Sequence, residues 1–121
     1  MRIEQLPFEL TVCKVSSMAD IDLQCDFFFV GKTDDELSYV CDTNSVPDGT
    51  LAREDGWRAF RIQGTLDFSL VGVLSRISSV LADAGIGLFA VSTYDTDYIL
   101  VKSESFDSAL SVLAVAGYEI V

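Results

Sequence analysis

The second half of the chain switches between the two-residue period of strands and the longer period of helices. In residues 57–63, Phe60 and Ile62 fall on one face, which predicts a strand. Asp67 and Ser69 then offer N-cap oxygens for an amphipathic helix. The apolar positions with helical spacing are Leu70, Val73, Leu74, Ile77, Leu81 and Ala84. Residues 57–84 therefore predict a strand followed by a helix.

A hairpin and a second helix follow. Residues 87–93 and 97–102 are predicted strands joined by a tight turn. Ser105 is placed to cap a second helix, Gly117 to end it, and residues 118–121 to form a last short strand. The order is β-α-β-β-α-β, so the predicted fold class is α+β and ferredoxin-like, with antiparallel sheets and helices on one face.

The first half is a degraded version of the same order. Strands are expected at 8–15, 27–31 and 37–41, with only a short helix or an irregular turn between the first two. The Asp-, Asn-, Pro- and Gly-rich stretch at 42–56 is typical of a connector. We therefore predict two domains, a degenerate unit at residues 1–56 and a complete βαββαβ domain at residues 57–121.

Charge and composition exclude several classes of function and partner. The chain has 121 residues, with 8 basic and 19 acidic side chains, a net charge of −11 and no histidine. Such acidity disfavours nucleic acid and membrane surfaces as partners. Without histidine, no Ser-His-Asp or Cys-His catalytic set and no His-ligated zinc site can form. We expect a protein that is not an enzyme and needs no cofactor and no metal.

The three cysteines match neither a zinc pattern nor a disulfide framework. Cys13, Cys25 and Cys41 each lie in or beside apolar stretches, so buried free thiols in a reducing cytoplasm are expected. The N-terminal residues lack the apolar segment of a signal peptide, and no apolar run is long enough for a membrane span.

Two segments combine polar groups that could bind a ligand. Residues 66–74 form a strand-to-helix corner, where helix amides suit a carboxylate and Gly72 allows close approach to the backbone. In residues 86–101, hydroxyls cluster near Asp97, which can pair with an ammonium group. An α-amino acid needs both kinds of partner, N–H donors for its carboxylate and an acceptor for its ammonium group. The alternative is ordinary capping, packing and hairpin-turn chemistry, and composition alone favours it.

At these two segments the chain resembles the ACT domain, a βαββαβ module that binds amino acids and regulates metabolism. The resemblance rests on DFSLVGVL and ADAGIGLFAVSTYDTDYILV in the second half. In the first half, FFVGKTDDELSYVC and VPDGTLAREDGWRAFRIQG also match. More narrowly, the chain resembles small bacterial tandem-ACT proteins related to the CASTOR arginine sensors.

The resemblance implies a ligand held between modules. Amides near residues 70–73 would take the ligand carboxylate, and Asp97 would take a positive group. The candidate ligand-binding residues are Ser69, Leu70, Val71, Gly72, Ile86, Phe89, Ser92, Thr93 and Asp97. The larger sensors have four ACT units, so this shorter chain is expected to complete its site as a homodimer. The implied function is a non-catalytic sensing module for an amino acid-like ligand. The alternative is a protein-interaction module of the same fold without a ligand.

Overall fold

The structure, a computed structural model, describes residues 1–66 and 71–121. The chain folds as two compact units. We call Met1–Pro7 together with Arg58–Val121 the two-helix unit, and Phe8–Trp57 the inserted unit. The predicted N-cap residues Asp67 and Ser69 lie outside the described residues.

The elements follow one another in a simple chain order. They are β1 (Arg2–Gln5), β2 (Leu10–Lys14), β3 (Phe29–Lys32), β4 (Leu37–Asp42), β5 (Ala52–Ile62), α1 (Val73–Asp83), β6 (Phe89–Ser92), β7 (Asp97–Lys102), α2 (Phe106–Val115) and β8 (Glu119–Ile120). Strand β5 belongs to both units, because the unit boundary falls between Trp57 and Arg58. The helices and the second hairpin lie where the periodicity predicts them.

The two-helix unit is a sheet covered on one face by both helices. Its strand order is β8-β1-β5-β7-β6. Alternate residues of the central strands turn their side chains to the helices and are fully buried, among them Phe60, Ile62, Ile99 and Val101. The stripe that predicts α1 supplies Ile77 and Leu81 to the same core. The predicted α+β, ferredoxin-like class is confirmed.

Strand β1 is an element that the hydrophobic pattern does not reveal. It pairs antiparallel with β5, matching Ile3 to Ile62, and parallel with β8, matching Ile3 to Ile120. Strand β1 lies between β5 and β8, and the predicted βαββαβ order, which begins at residue 57, does not include it. The β1–β8 pair is therefore an exception to the predicted antiparallel sheets.

The inserted unit repeats the strand arrangement without long helices. Its order is β3-β4-β2 followed by the first part of β5, with antiparallel pairing throughout these strands. Where the other unit has α1, a single 3₁₀ turn spans Met18–Asp20, which the sequence predicts as a short helix or turn. A small core forms around Tyr39. Cys13 and Cys41 are buried free thiols as predicted, whereas Cys25 is only half-buried, because its sulfur lies near the exposed Asp22 carboxylate.

The two hairpins are copies of one another at a spacing of 60 residues. Phe29 pairs with Val40 and Lys32 with Leu37, while Phe89 pairs with Leu100 and Ser92 with Asp97. Each hairpin is followed by a 3₁₀ turn, at Thr43–Ser45 and Ser103–Ser105. The repeat that the first half only hints at is therefore a repeat of backbone register in the hairpins.

Glycines with positive φ lie after both helices and at the N-cap of α1. Gly85 and Gly117 follow α1 and α2 with φ of +73° and +105°, the left-handed conformation expected after a helix. Gly72 was expected inside the first turn of α1, but it is the N-cap, with φ of +80°. Ser105 holds the predicted cap position of α2, yet its side chain makes no capping hydrogen bond.

Candidate functional site

The turn between β6 and β7 forms one wall of the candidate site. The Thr93 amide donates to the Thr96 carbonyl at 2.9 Å, and the Thr93 hydroxyl donates to the same oxygen at 3.0 Å. Side chain and backbone therefore close the turn together, as Thr and Ser side chains often do. The result is a short, well-defined hairpin end.

Two further hydrogen bonds fix this turn to the end of β5. The Thr96 hydroxyl, which is buried, donates to the Ile62 carbonyl at 2.9 Å. The Leu66 amide donates to the Asp95 carbonyl at 2.6 Å. These two bonds hold the turn against the end of β5 and the residues that directly follow it.

Ser92 and Asp97 face each other at the mouth of the hairpin. They are opposite residues of the ladder, and the Ser92 hydroxyl donates to Asp97 Oδ1 at 2.6 Å. Strand alternation puts both on the face that carries Ile99 and the helices. The carboxylate is only half-buried, so it remains accessible to a cationic group.

The start of α1 forms the opposite wall. The first amides of a helix have no partner within the helix, and its N-terminal end carries a partial positive charge. Gly72 offers no side-chain cap, and its carbonyl accepts the first helical bond from Arg76 at 2.9 Å. Gly72 itself thus supplies no side-chain acceptor for the first backbone amides of α1.

Between these walls lies a cleft of about 320 Å³. Its described lining residues are Leu66, Gly72, Val73, Leu74, Ser75, Ser92, Thr93, Tyr94, Asp95, Thr96 and Asp97. They include two carboxylates and no Lys or Arg. The cleft thus places acceptors for a cation opposite amides suited to an anion, with apolar contacts from Leu66 and Leu74.

The structure brings together four of the predicted site residues, Gly72, Ser92, Thr93 and Asp97. Ser69 and Leu70 lie outside the described residues. The other three predicted residues, Val71, Ile86 and Phe89, do not line the cleft.

The positions of these three have local causes. Val71 is 89% exposed. Ile86 packs against the core of the two-helix unit. Phe89 is three positions before Ser92 in the same strand, so strand alternation turns it to the opposite face.

Several residues that line the cleft were not predicted from the sequence. Thr96 was noted among the hydroxyls but not assigned to the site, although a buried threonine in a tight turn must place its hydroxyl on an acceptor. Val73 and Leu74 were predicted only as apolar helix positions, and Ser75 was not singled out. The helix begins after Gly72, and its first turn faces the hairpin. A correct prediction of where the helix begins would therefore have identified these three residues.

The opposite face of the sheet carries a charged network instead. Arg61 donates from Nε and Nη2 to the two carboxylate oxygens of Glu4 at 3.2 and 3.1 Å, and from Nη1 to the Tyr98 hydroxyl at 3.2 Å. The Glu4 and Tyr98 partners raise the pKa of Arg61. A smaller pocket of about 180 Å³ adjoins this network. With its guanidinium already engaged on both sides, Arg61 joins strands β1, β5 and β7 and is not offered to a ligand.

Neither metal chemistry nor membrane insertion finds support in the described residues. Within residues 1–66 and 71–121, no three Cys, Asp or Glu side chains are grouped to hold a metal ion. Across the same ranges, no helix has the length and apolar character needed to cross a membrane.

The fold is a small ferredoxin-like module, and a cleft with polar lining residues lies beside the start of α1. The chain belongs to the ACT domain family, since a sequence model of the ACT domain matches residues 52–114. ACT domains are regulatory modules and do not themselves catalyse reactions, so regulation is the class of function to test.

Solved structures extend the similarity over the whole chain. A protein from Agobacterium tumefaciens is 31% identical, with a TM-score of 0.87, and the match covers 99% of this chain and 91% of that one. A Vibrio cholerae protein of unknown function, titled a possible transport protein, is 19% identical, with a TM-score of 0.74 and 93% and 87% coverage. Aspartate kinase from Clostridium acetobutylicum, titled an allosteric enzyme, is 12% identical, with a TM-score of 0.66 over 87% of this chain and 32% of its own. The last two show a shared fold.

Proposed function

We propose that this protein is a non-catalytic regulatory module that binds a small amino acid-type ligand in the cleft between α1 and the β6–β7 turn. The observation that carries the proposal is the placement of the Ser92–Asp97 pair opposite the first turn of α1. An α-amino acid carries one anionic and one cationic group on the same carbon, and the two walls offer one partner for each.

The carboxylate of the ligand would bind the amides that follow Gly72. A helix of 11 residues presents a full set of unpaired N–H groups at its start, and its dipole favours an anion there. Because Gly72 has no side chain, no Cβ stands between the ligand and these amides.

The ammonium of the ligand would bind Asp97. One carboxylate oxygen accepts from Ser92 at 2.6 Å, which fixes the orientation of the group. A carboxylate accepts about four hydrogen bonds in all, so this one bond leaves capacity for an ammonium. Ser92, Thr93 and Asp97 therefore act together as one polar surface of the hairpin.

A second copy of the chain would complete the site. Asp97 is half-buried, and Ser92, Thr93 and Tyr94 are exposed, so the cleft as described is an open surface. Small-molecule sites usually bury most of the ligand. We therefore propose a homodimer with the ligand at an ACT–ACT interface, in the manner of tandem-ACT proteins related to the CASTOR arginine sensors. Twofold dimers are the commonest oligomers, which supports this choice.

We also propose that the chain is a tandem of a degenerate ACT-like unit at residues 1–56 and a complete one at 57–121, to whose sheet the N-terminal strand β1 is added. The 60-residue spacing of the two hairpins supports this division, since Phe89 and Asp97 stand at the ladder positions of Phe29 and Leu37. The free thiols of Cys13 and Cys41 are in keeping with a reducing compartment such as the cytoplasm.

A thermal-shift screen against the twenty amino acids tests ligand binding. A ligand at about 100 times its Kd stabilises the folded state by about 2.7 kcal/mol. The stabilising amino acid is then tested on Asp97→Asn, which keeps the size of the side chain but removes its charge. Asp48→Asn, an exposed residue outside the cleft, is the matched control for the charge change.

The proposal expects the thermal shift to disappear in Asp97→Asn and to persist in Asp48→Asn. No shift with any amino acid at millimolar concentration would reject amino acid sensing. Light scattering tests the dimer separately, because the mass of a single chain at micromolar concentration would contradict it.

The second candidate is a protein-interaction module without a ligand. Residues 8–57 contain 11 acidic and 3 basic side chains, so the inserted unit has a net charge of 3 − 11 = −8. A surface this acidic would steer a basic partner. A basic partner that co-purifies with the protein, and whose binding no amino acid alters, would favour this candidate.

A further inference from the structure

The inserted unit has a cleft at the place that corresponds to the candidate site of the two-helix unit. Its volume is about 460 Å³, and it lies between the end of β2, the loop that follows β2, and the β3–β4 turn. The turn closes in the same way, with the Thr33 amide donating to the Glu36 carbonyl at 2.9 Å. Volumes of this size are typical of small-molecule sites.

The charge at the mouth of this second cleft is reversed. Lys32 stands at the ladder position of Ser92, and Leu37 stands at the position of Asp97. An ammonium and an apolar group therefore replace a hydroxyl and a carboxylate. Within residues 1–66 and 71–121, the Lys32 ammonium makes no ion pair and no hydrogen bond.

Several apolar side chains share the cleft with Lys32, although most of its lining residues are polar or charged. Leu37 packs on the core of the inserted unit, and the ladder places Lys32 on the same face. Met18 and Leu51 line the same cleft with 46% and 63% of their surface exposed. Covering them would gain about 25 cal/mol for each Å² of apolar surface removed from water.

A second lysine, Lys14, and three acidic residues of the turn, Asp34, Asp35 and Glu36, also line this cleft. The Glu36 carboxylate accepts from the Ser38 hydroxyl at 3.2 Å, and Ser38 lies on the opposite face of the strand from Leu37. Asp34 and Asp35 are exposed at the tip of the turn, where water weakens their repulsion of an anion. Salt at about 0.15 M screens the remaining acidic residues of the unit beyond about 8 Å.

We infer that the cleft of the inserted unit binds a small monocarboxylate with a branched apolar body, held by an ion pair with Lys32 and by contacts with Leu37, Met18 and Leu51. Leu37 stands where Asp97 stands in the other cleft, so the proposed ligand needs no ammonium group. The site is separate from the one proposed above and does not depend on it.

The experiment is an NMR titration with isocaproate, followed through backbone amides at about 0.15 M salt. The neutral amide of the same acid, isocaproamide, is the control ligand. Lys32→Met removes the ammonium and keeps the length of the side chain. Lys102→Met is the matched control, because it removes the same charge and Lys102 lies in the two-helix unit, away from this cleft.

Isocaproate is expected to shift the amides of residues 32–37, and isocaproamide to bind at least about tenfold more weakly, as loss of one charge-assisted bond predicts. Lys32→Met should weaken isocaproate binding by about the same factor, and Lys102→Met should leave it unchanged. Since Lys32 is exposed, amides outside the cleft should keep their positions in the variant.

Several results would overturn the inference. Equal binding of acid and amide would show that the charge plays no part. An equal loss in Lys102→Met would show only a general effect of net charge. Shifts confined to residues 92–97, or no shift with millimolar isocaproate, would show that this cleft does not bind the acid.

Discussion

Thr96→Val should destabilise the protein, because it removes the hydrogen bond that fixes the β6–β7 turn to β5. The Thr96 side chain is 7% exposed, and its hydroxyl donates to the carbonyl of the fully buried Ile62 at 2.9 Å. Valine has nearly the same shape, so packing is kept while the donor is lost.

The size of the effect follows from the burial of both partners. Losing a buried hydrogen bond, with water excluded from the acceptor left behind, costs about 1–3 kcal/mol. For a chain of this length, each kcal/mol lowers Tm by about 3–5 °C. We therefore expect a Tm lower by about 3–15 °C, together with weaker binding in the cleft, since the turn carries Thr93 and Asp97 at its edges.

Urea unfolding followed by circular dichroism measures this change. Thr65→Val is the matched control, because Thr65 is exposed and close in sequence. The control should change the free energy of unfolding by less than about 0.5 kcal/mol. If Thr96→Val were as stable as Thr65→Val, the hydrogen bond would not anchor the turn and this reasoning would be refuted.

Three further predictions concern the start of α1 and the thiols. Gly72→Ala should lower the free energy of unfolding by about 1–2 kcal/mol, since alanine is strained at a φ of +80°, and an unchanged urea midpoint would contradict this. A thiol reagent at neutral pH should label half-buried Cys25 first and reach Cys13 and Cys41 only on unfolding, whereas equal rates for all three would argue against the packing described. Burial, aided by the neighbouring Cys13, raises the pKa of the Cys41 thiol from 9.0 to about 12. The unfolded chain then loses this proton first, so stability should fall as pH rises from about 9 to about 12, and Cys41→Ala should make the fall shallower.

The parts of the fold that follow a local period are the parts that sequence alone predicts. The stripe through Ile77 and Leu81 fixes the buried face of α1, and alternation fixes both hairpins. Strand β1 has a single buried residue, Ile3, and it pairs with residues about 60 positions away. No local signal marks such a strand, because its pairing depends on the rest of the sheet.

The candidate site was predictable to the extent that it obeys the same local rules. Ser92, Thr93 and Asp97 converge because a hairpin brings the ends of two strands together. Phe89 does not join them, because the two-residue period of a strand places it on the opposite face from Ser92. The anchoring role of Thr96 needed the position of the Ile62 carbonyl, which only the folded chain provides.

The most direct test of the proposed function is a crystal structure of the protein with the amino acid that stabilises it most. The account predicts a ligand between two copies of the chain, with its ammonium on Asp97 and its carboxylate on the amides of Val73 to Ser75. A ligand bound elsewhere, or a cleft filled by side chains of the partner copy, would contradict it.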